Sequence, residues 1–140
     1  MKKNKTLAVI FILMCIMLVS GCSLTGTIKD NSDRSSLSVE KALIGHWISQ
    51  SSEAPNYYIS SDKLIRVKKD GTTEEMTYKV IETNDNTNEI KIHVTTAGGS
   101  ESDNKIQFSA DKKSITETTE ILTVVTSTEN YIYVDSKTTP

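Results

Sequence analysis

Thiols are almost absent from this 140-residue chain: its two cysteines, Cys15 and Cys22, both fall within the first 22 residues. Beyond Cys22 there is no thiol for a disulfide, a metal site or nucleophilic catalysis. Histidine is as scarce, since only His46 and His93 occur, and no zinc-type spacing links them. There is neither a nucleophile elbow nor a phosphate-cradling glycine loop, and Gly98-Gly99 reads as a flexible turn. Glu74, Glu75, Glu117 and Glu120 read as carboxylates on soluble strand faces. The familiar enzyme classes are thereby excluded, and no catalytic residue, metal or other cofactor is expected. Basic patches with interleaved aromatics are missing too, which argues against nucleic acid as a partner. Long apolar runs are missing with one exception, Leu7 to Val19, whose 13 residues are too short for a stable membrane-spanning helix.

That run follows Lys2, Lys3 and Lys5 and leads into small residues, which is the layout of a secretory signal peptide. It ends in Leu18-Val19-Ser20-Gly21-Cys22, which resembles the bacterial lipobox. The resemblance implies that residues 1–21 are a lipoprotein signal peptide and that the Cys22 thiol, the nucleophile towards the lipid donor, carries the lipid. Cys22 then becomes the mature N-terminus. One acyl chain anchors marginally and two anchor stably, so the expected location is the extracytoplasmic face of a cell membrane, reached without crossing it. Removal of the signal takes away three of 16 basic residues and none of 18 acidic ones, leaving 13 − 18 = −5. The Lys-heavy, Arg-poor, Asn-rich composition points to a Gram-positive bacterium.

Residues 23–38 read SLTGTIKDNSDRSSLS, without an aromatic and crowded with Ser, Thr, Asn and Asp. Such a stretch buries too little apolar surface to offset its ordering entropy. Together with the lipidated Cys22 it reads as a flexible tether, 22–38, the alternative being that Leu24, Ile28 and Leu37 dock onto the domain that follows.

That domain, residues 39–136, has period two, and residues 137–140 form a short tail. Ile90, Ile92 and Val94 share one face; Met76, Tyr78 and Val80 alternate with Thr77 and Lys79; Ile106 and Phe108 flank Gln107. Eight strands are expected at 46–50, 57–60, 63–68, 73–82, 89–96, 104–109, 114–126 and 130–135. One short helical turn, Val39 to Ile44, precedes them with Ser38 as N-cap. Short connections such as Lys69-Asp70-Gly71 imply an antiparallel meander, and one-sided alternation implies one buried face. Closure into a small eight-stranded barrel removes the exposed edges; a β-sandwich is the alternative all-β solution. Between Ser114 and Thr126 the phase breaks. Either a bulge flips the register near Thr118 to Glu120, or Ile121 to Val125 is buried on both faces.

Leu43-Ile44-Gly45-His46-Trp47, at the start of the first strand, resembles the Gly-x-Trp signature of the lipocalin superfamily and of lipocalin-like bacterial lipoproteins. The resemblance implies that Trp47 plugs the closed end of the barrel and that Gly45 permits close backbone approach beside it. The family's arginine from the last strand, which lies over the tryptophan, has no match, since Arg66 is the final arginine and belongs to the third strand. The Thr-Asp-Tyr signature is also missing. With Trp47 at the closed end, the open rim should carry Ser51 to Asn56, Lys69-Asp70-Gly71, Ala97 to Ser100 and a last turn at Ser127 to Glu129.

Tyr57, Tyr58, Tyr78, Tyr131 and Tyr133 supply most of the aromatic area and are the candidate ligand or partner contacts. Adjacent Tyr57 and Tyr58 must face opposite ways. Two functions fit an anchored barrel of this kind. The one expected is binding of a small apolar ligand in the interior; the alternative is service as a protein-interaction or inhibitor module of a cell-envelope complex with no small-molecule ligand. Interior composition separates them, because bulky inward residues would close the lumen.

Overall fold

Period-two alternation becomes strand geometry through most of the domain; it fails at Val80, expected beside Tyr78 on the buried face but exposed, where the register shifts before Glu82. The computed structural model describes residues 32–122 and 124–140. The signal-peptide motif, Cys22, Leu24 and Ile28 lie outside the described residues. A single helical turn, α1 (Val39–Leu43), leads into β1 (Gly45–Ser49), β2 (Asn56–Ile59), β3 (Lys63–Val67), β4 (Thr73–Asn84), β5 (Glu89–Thr96), β6 (Glu101–Phe108), β7 (Ser114–Ile121) and β8 (Val124–Asp135). Each strand pairs antiparallel with the next, and β8 returns to β1, closing an eight-stranded meander barrel. Closure, not a sandwich, satisfies the edge strands here.

The last hairpin differs from expectation. The chain reverses around Leu122, not at Ser127 to Glu129, and β7 ends at Ile121, which pairs with Val124. No Gly, Pro, Asn or Asp marks Ile121 to Val125, so those apolar residues read as uninterrupted strand. Pairing of Ser114 to Thr119 against Ser127 to Ile132 sets the actual turn. A register shift between Thr119 and Glu120 makes Thr126 the extra residue of a bulge, with its Oγ1 donating to the Thr119 carbonyl at 3.2 Å. Burial on both faces, the alternative to that bulge, is not found: Ile121, Val124 and Val125 are all exposed.

One end of the barrel is sealed. The Ser38 hydroxyl accepts from Lys41 N at 3.4 Å and Asp85 Oδ1 accepts from Val39 N at 2.7 Å, which together start α1. Val39, Ala42 and Leu43 are fully buried beneath it, as is Trp47. The Trp47 indole donates to the Leu43 carbonyl at 2.8 Å and meets Phe108 and Tyr133 edge-on, with ring centroids 6.0 and 5.4 Å away. Gly45 has φ +134°, and a Cβ there would lie 2.6 Å from Tyr133 Cε2 and 2.7 Å from the Asp135 carbonyl, so only glycine fits.

An arginine does lie over the tryptophan, from the other end of the domain. Arg34, read above as tether, places its guanidinium 3.4 Å from the Tyr133 ring centroid and 5.8 Å from that of Trp47. It donates to the Lys112 carbonyl at 3.3 Å and to the Ala42 carbonyl, and Lys112 Nζ in turn donates to the Ser35 carbonyl at 2.8 Å. Leu37 packs against the core. The stretch from Arg34 to Ser38 is therefore part of the domain. Two arene faces and two backbone acceptors offset the ordering cost that composition alone leaves unmet.

Removal of Arg34 should cost about 2–4 kcal/mol, the scale of a desolvated cation–π contact plus hydrogen bonds from a charged donor. In denaturant melts Arg34→Ala and a fragment beginning at residue 39 should both show lowered midpoints. Arg34→Lys should not rescue, because an ammonium cannot hold two carbonyls while lying flat on a ring. A midpoint unchanged in Arg34→Ala would contradict the clamp.

Candidate functional site

Side chains fill the barrel from the sealed end outward. Above Trp47 the inward positions are apolar, including Ile59, Leu64, Met76, Ile92 and Ile106. The five tyrosines do not form one site. Tyr58 lies outside, stacked on His46 with centroids 4.1 Å apart and planes at 9°. Tyr133 sits under Arg34 in the seal. Tyr78 donates to the Ser60 carbonyl at 2.6 Å, and burial foremost, with Glu40 and Asp62 nearby, pushes its hydroxyl up to about 12. Only Tyr57 and Tyr131 meet, 5.2 Å between centroids, in the half of the lumen nearer the open rim.

That half is polar. Register places Tyr57, Arg66 and Glu74 side by side across β2, β3 and β4. Ile106, Glu117 and Glu129 align likewise across β6, β7 and β8. Glu117 is 6% exposed. Asn104 Nδ2 donates to its Oε1 at 2.6 Å, and Ser102 Oγ donates to Asn104 Oδ1 at 3.0 Å. Tyr131 adjoins Tyr57, both feel the charge of Glu117, and Tyr57 is the register neighbour of Arg66, which pairs with the Glu74 carboxylate. A guanidinium can only donate. Arg66 therefore offers only donors to its neighbours, among them the Glu74 carboxylate. The result is a run of adjoining polar groups from the rim to a buried carboxyl.

Its electrostatics follow from burial. Loss of water, more than any other influence, raises the Glu117 carboxyl above its ordinary range, with Glu129 adding to it; hydrogen bonds from Asn104 and Tyr131 and the charge of Arg66 act the other way. Tyr57 and Tyr131 are also raised, by burial first and then by the Glu117 charge. Arg66 Nε is buried without an acceptor.

Neither histidine enters the lumen. On the outer face His93 Nδ1 lies 2.8 Å from Asp103 Oδ1, and His46 Nδ1 is 3.8 Å from Asp135. Two clefts lie towards the open end and neither is an apolar cavity. One, of about 440 Å3, is lined by Glu53, Pro55, Arg66, Lys68, Lys69 and Asp70. The other, of about 260 Å3, is an outer-face basin around Lys91, His93, Asp103 and Glu120.

Sequence reasoning missed Glu117, Asn104 and Arg66 as a unit. The signal available was phase, since Glu117 stands two residues from Ile115 on the inward face. A glutamate there reads as surface until the strand is seated in a barrel. Comparison of the chain with protein-family models, curated proteins and solved structures finds no match.

The raised Glu117 group sets a pH dependence whose sign is fixed. Between the ordinary carboxylate value and its raised folded value, the folded state holds a proton that the unfolded state has lost. Acidification through that window therefore stabilises the fold. Glu117→Gln should melt above the parent at pH 8, and the gap should close as pH falls towards the ordinary carboxylate range. A gap that stays constant over that range would rule out a buried titrating Glu117.

Proposed function

We propose that this protein is a lipid-anchored, extracytoplasmic module that acts by binding another protein, without catalysis and without carrying a small apolar ligand. One observation carries the reading: apolar area is arranged inside out at the open end. The lumen, where an apolar ligand would sit, is occupied by the barrel's own side chains up to the Tyr131–Glu117 line. Large apolar side chains stand outside instead, with Ile121 46%, Leu122 91%, Val124 63% and Val125 57% exposed. Clustered exposed apolar residues of this kind mark interaction sites.

The anchor half of the proposal rests on Leu18-Val19-Ser20-Gly21-Cys22 behind the 13-residue apolar run. Lipidation of Cys22 would place the domain on the outer face of the cytoplasmic membrane, consistent with the Gram-positive composition. The Arg34 clamp attaches the incoming chain at the sealed end, so the open rim would point away from the bilayer.

Two measurements test this. Cys22→Ala should abolish metabolic labelling with palmitate and leave the precursor uncut; labelling that persists would refute the anchor. Titration of the full-length protein with 1-anilinonaphthalene-8-sulfonate should show no saturable site quenched from the lumen. Stoichiometric binding lost in Tyr131→Trp, which adds bulk inside, would restore the carrier reading.

A further inference from the structure

The apolar tip does not stand alone. Register carries a continuous line across four strands: His93 pairs with Asp103, Asp103 with Glu120, and Glu120 with Val125. The outer-face basin and the tip of the β7–β8 hairpin are thus one surface, and Leu122 lines the basin as well as crowning the tip. The Thr119/Glu120 bulge produces this placement, because it sets Val125 opposite Glu120.

The basin is acidic. Glu101, Asp103 and Glu120 supply three carboxylates against Lys91 as the one permanent cation. Asp103 is the committed member, 2.8 Å from His93 Nδ1 and 3.4 Å from Lys91 Nζ, and the His93 hydrogen bond foremost lowers its carboxyl below the ordinary value. Glu101 and Glu120 are held only at longer range, 3.8 Å from His93 and 3.7 Å from Lys91. An ionised carboxylate accepts about four hydrogen bonds, so both keep most of their capacity. At about 260 Å3, the basin falls below the roughly 300–1,000 Å3 of small-molecule pockets, which suits the head of one side chain. Leu122 adds strain: its φ of +50° lies in the left-handed region, where the Cβ of an L-residue crowds the following carbonyl oxygen.

We infer that this surface docks a protein partner presenting a lysine or arginine beside an apolar groove: the cation enters between Glu101 and Glu120, and the groove receives Leu122 and Val125. This deepens the protein-binding reading above and rests on it. Charge argues against a second copy, which would bring an identical acidic basin and a mature net charge of −5. Covalent reach argues against the bilayer. The ten peptide steps from Cys22 to Ser32 extend at most about 33–36 Å. The 12-residue β8, tilted at barrel angles, gives a barrel about 30 Å tall. The rim reaches the bilayer only with that segment almost fully stretched.

The test is photocrosslinking of the full-length protein in its own cells, with p-benzoylphenylalanine at position 122 and, in a parallel strain, at position 53 on the other side of the rim. A heteromeric adduct at 122 should fall about tenfold or more in Glu101→Lys/Glu120→Lys, since the partner's cation would then face like charges. It should fall less in Glu101→Gln/Glu120→Gln and return when the partner's crosslinked basic residue is changed to Glu. Unchanged melting midpoints would show that these outer-face substitutions leave the fold intact. An adduct indifferent to charge reversal overturns the cationic partner and leaves the protein-binding reading standing. Adducts only from position 53 overturn this surface and leave that reading standing. An adduct with a second copy or with lipid overturns the inference, and no adduct from either position overturns both.

Discussion

The rest of the structure depends on the seal at one end of the barrel. Trp47 and Tyr133 are register partners across the β1–β8 seam, the pairing that turns an open meander into a closed barrel. Each is held from another part of the chain: Trp47 by the Leu43 carbonyl and Tyr133 by the Arg34 guanidinium. Gly45 admits the Tyr133 ring against the backbone. Packing, a charge-assisted clamp and a positive φ meet at one end of the barrel. The seam closes because its two strands share these contacts, and closure leaves neither β1 nor β8 as an exposed edge.

Sealing one end leaves a gradient along the lumen. Near Trp47 the interior is apolar; nearer the rim it is a run of adjoining polar groups from Arg66 to Glu117. A buried carboxyl is costly unless its partners are in place, and here Asn104 and Tyr131 supply them. Such a cluster favours one arrangement of side chains, because another packing would strand the carboxyl; one donor, Arg66 Nε, is left without an acceptor even here. It also occupies the volume that a hydrophobic ligand would need.

Apolar area reappears on the outside, at a turn of the open rim. The hairpin tip joins exposed Val and Ile side chains to a leucine in the left-handed region. Neither feature favours the isolated fold, and both lie beside an acidic basin that is incompletely neutralised from within. Backbone strain and misplaced apolar surface together are commonly found where structure serves recognition.

Strand number, order and one-sided burial were legible from residues alone, because a side-chain period of two survives whatever the strands pack against. Trp47 and Gly45 were legible for a similar reason, as a local motif whose geometry is settled within a few residues. The last turn was not: Ile121 to Val125 contains no turn-forming residue, and cross-strand pairing overrode local preference. Arg34 was invisible because its partners, Ala42, Lys112 and Tyr133, are drawn from three separate parts of the chain. Composition described a polar stretch, and only closure created the aromatic faces that bind it. Glu117 carried the inward phase in its spacing from Ile115, yet its burial, its raised carboxyl and its line to Arg66 exist only once eight strands close. Periodicity is a property of neighbours along the chain. Which polar groups meet in the interior, and which apolar ones are left outside, is decided by contacts between residues far apart in it.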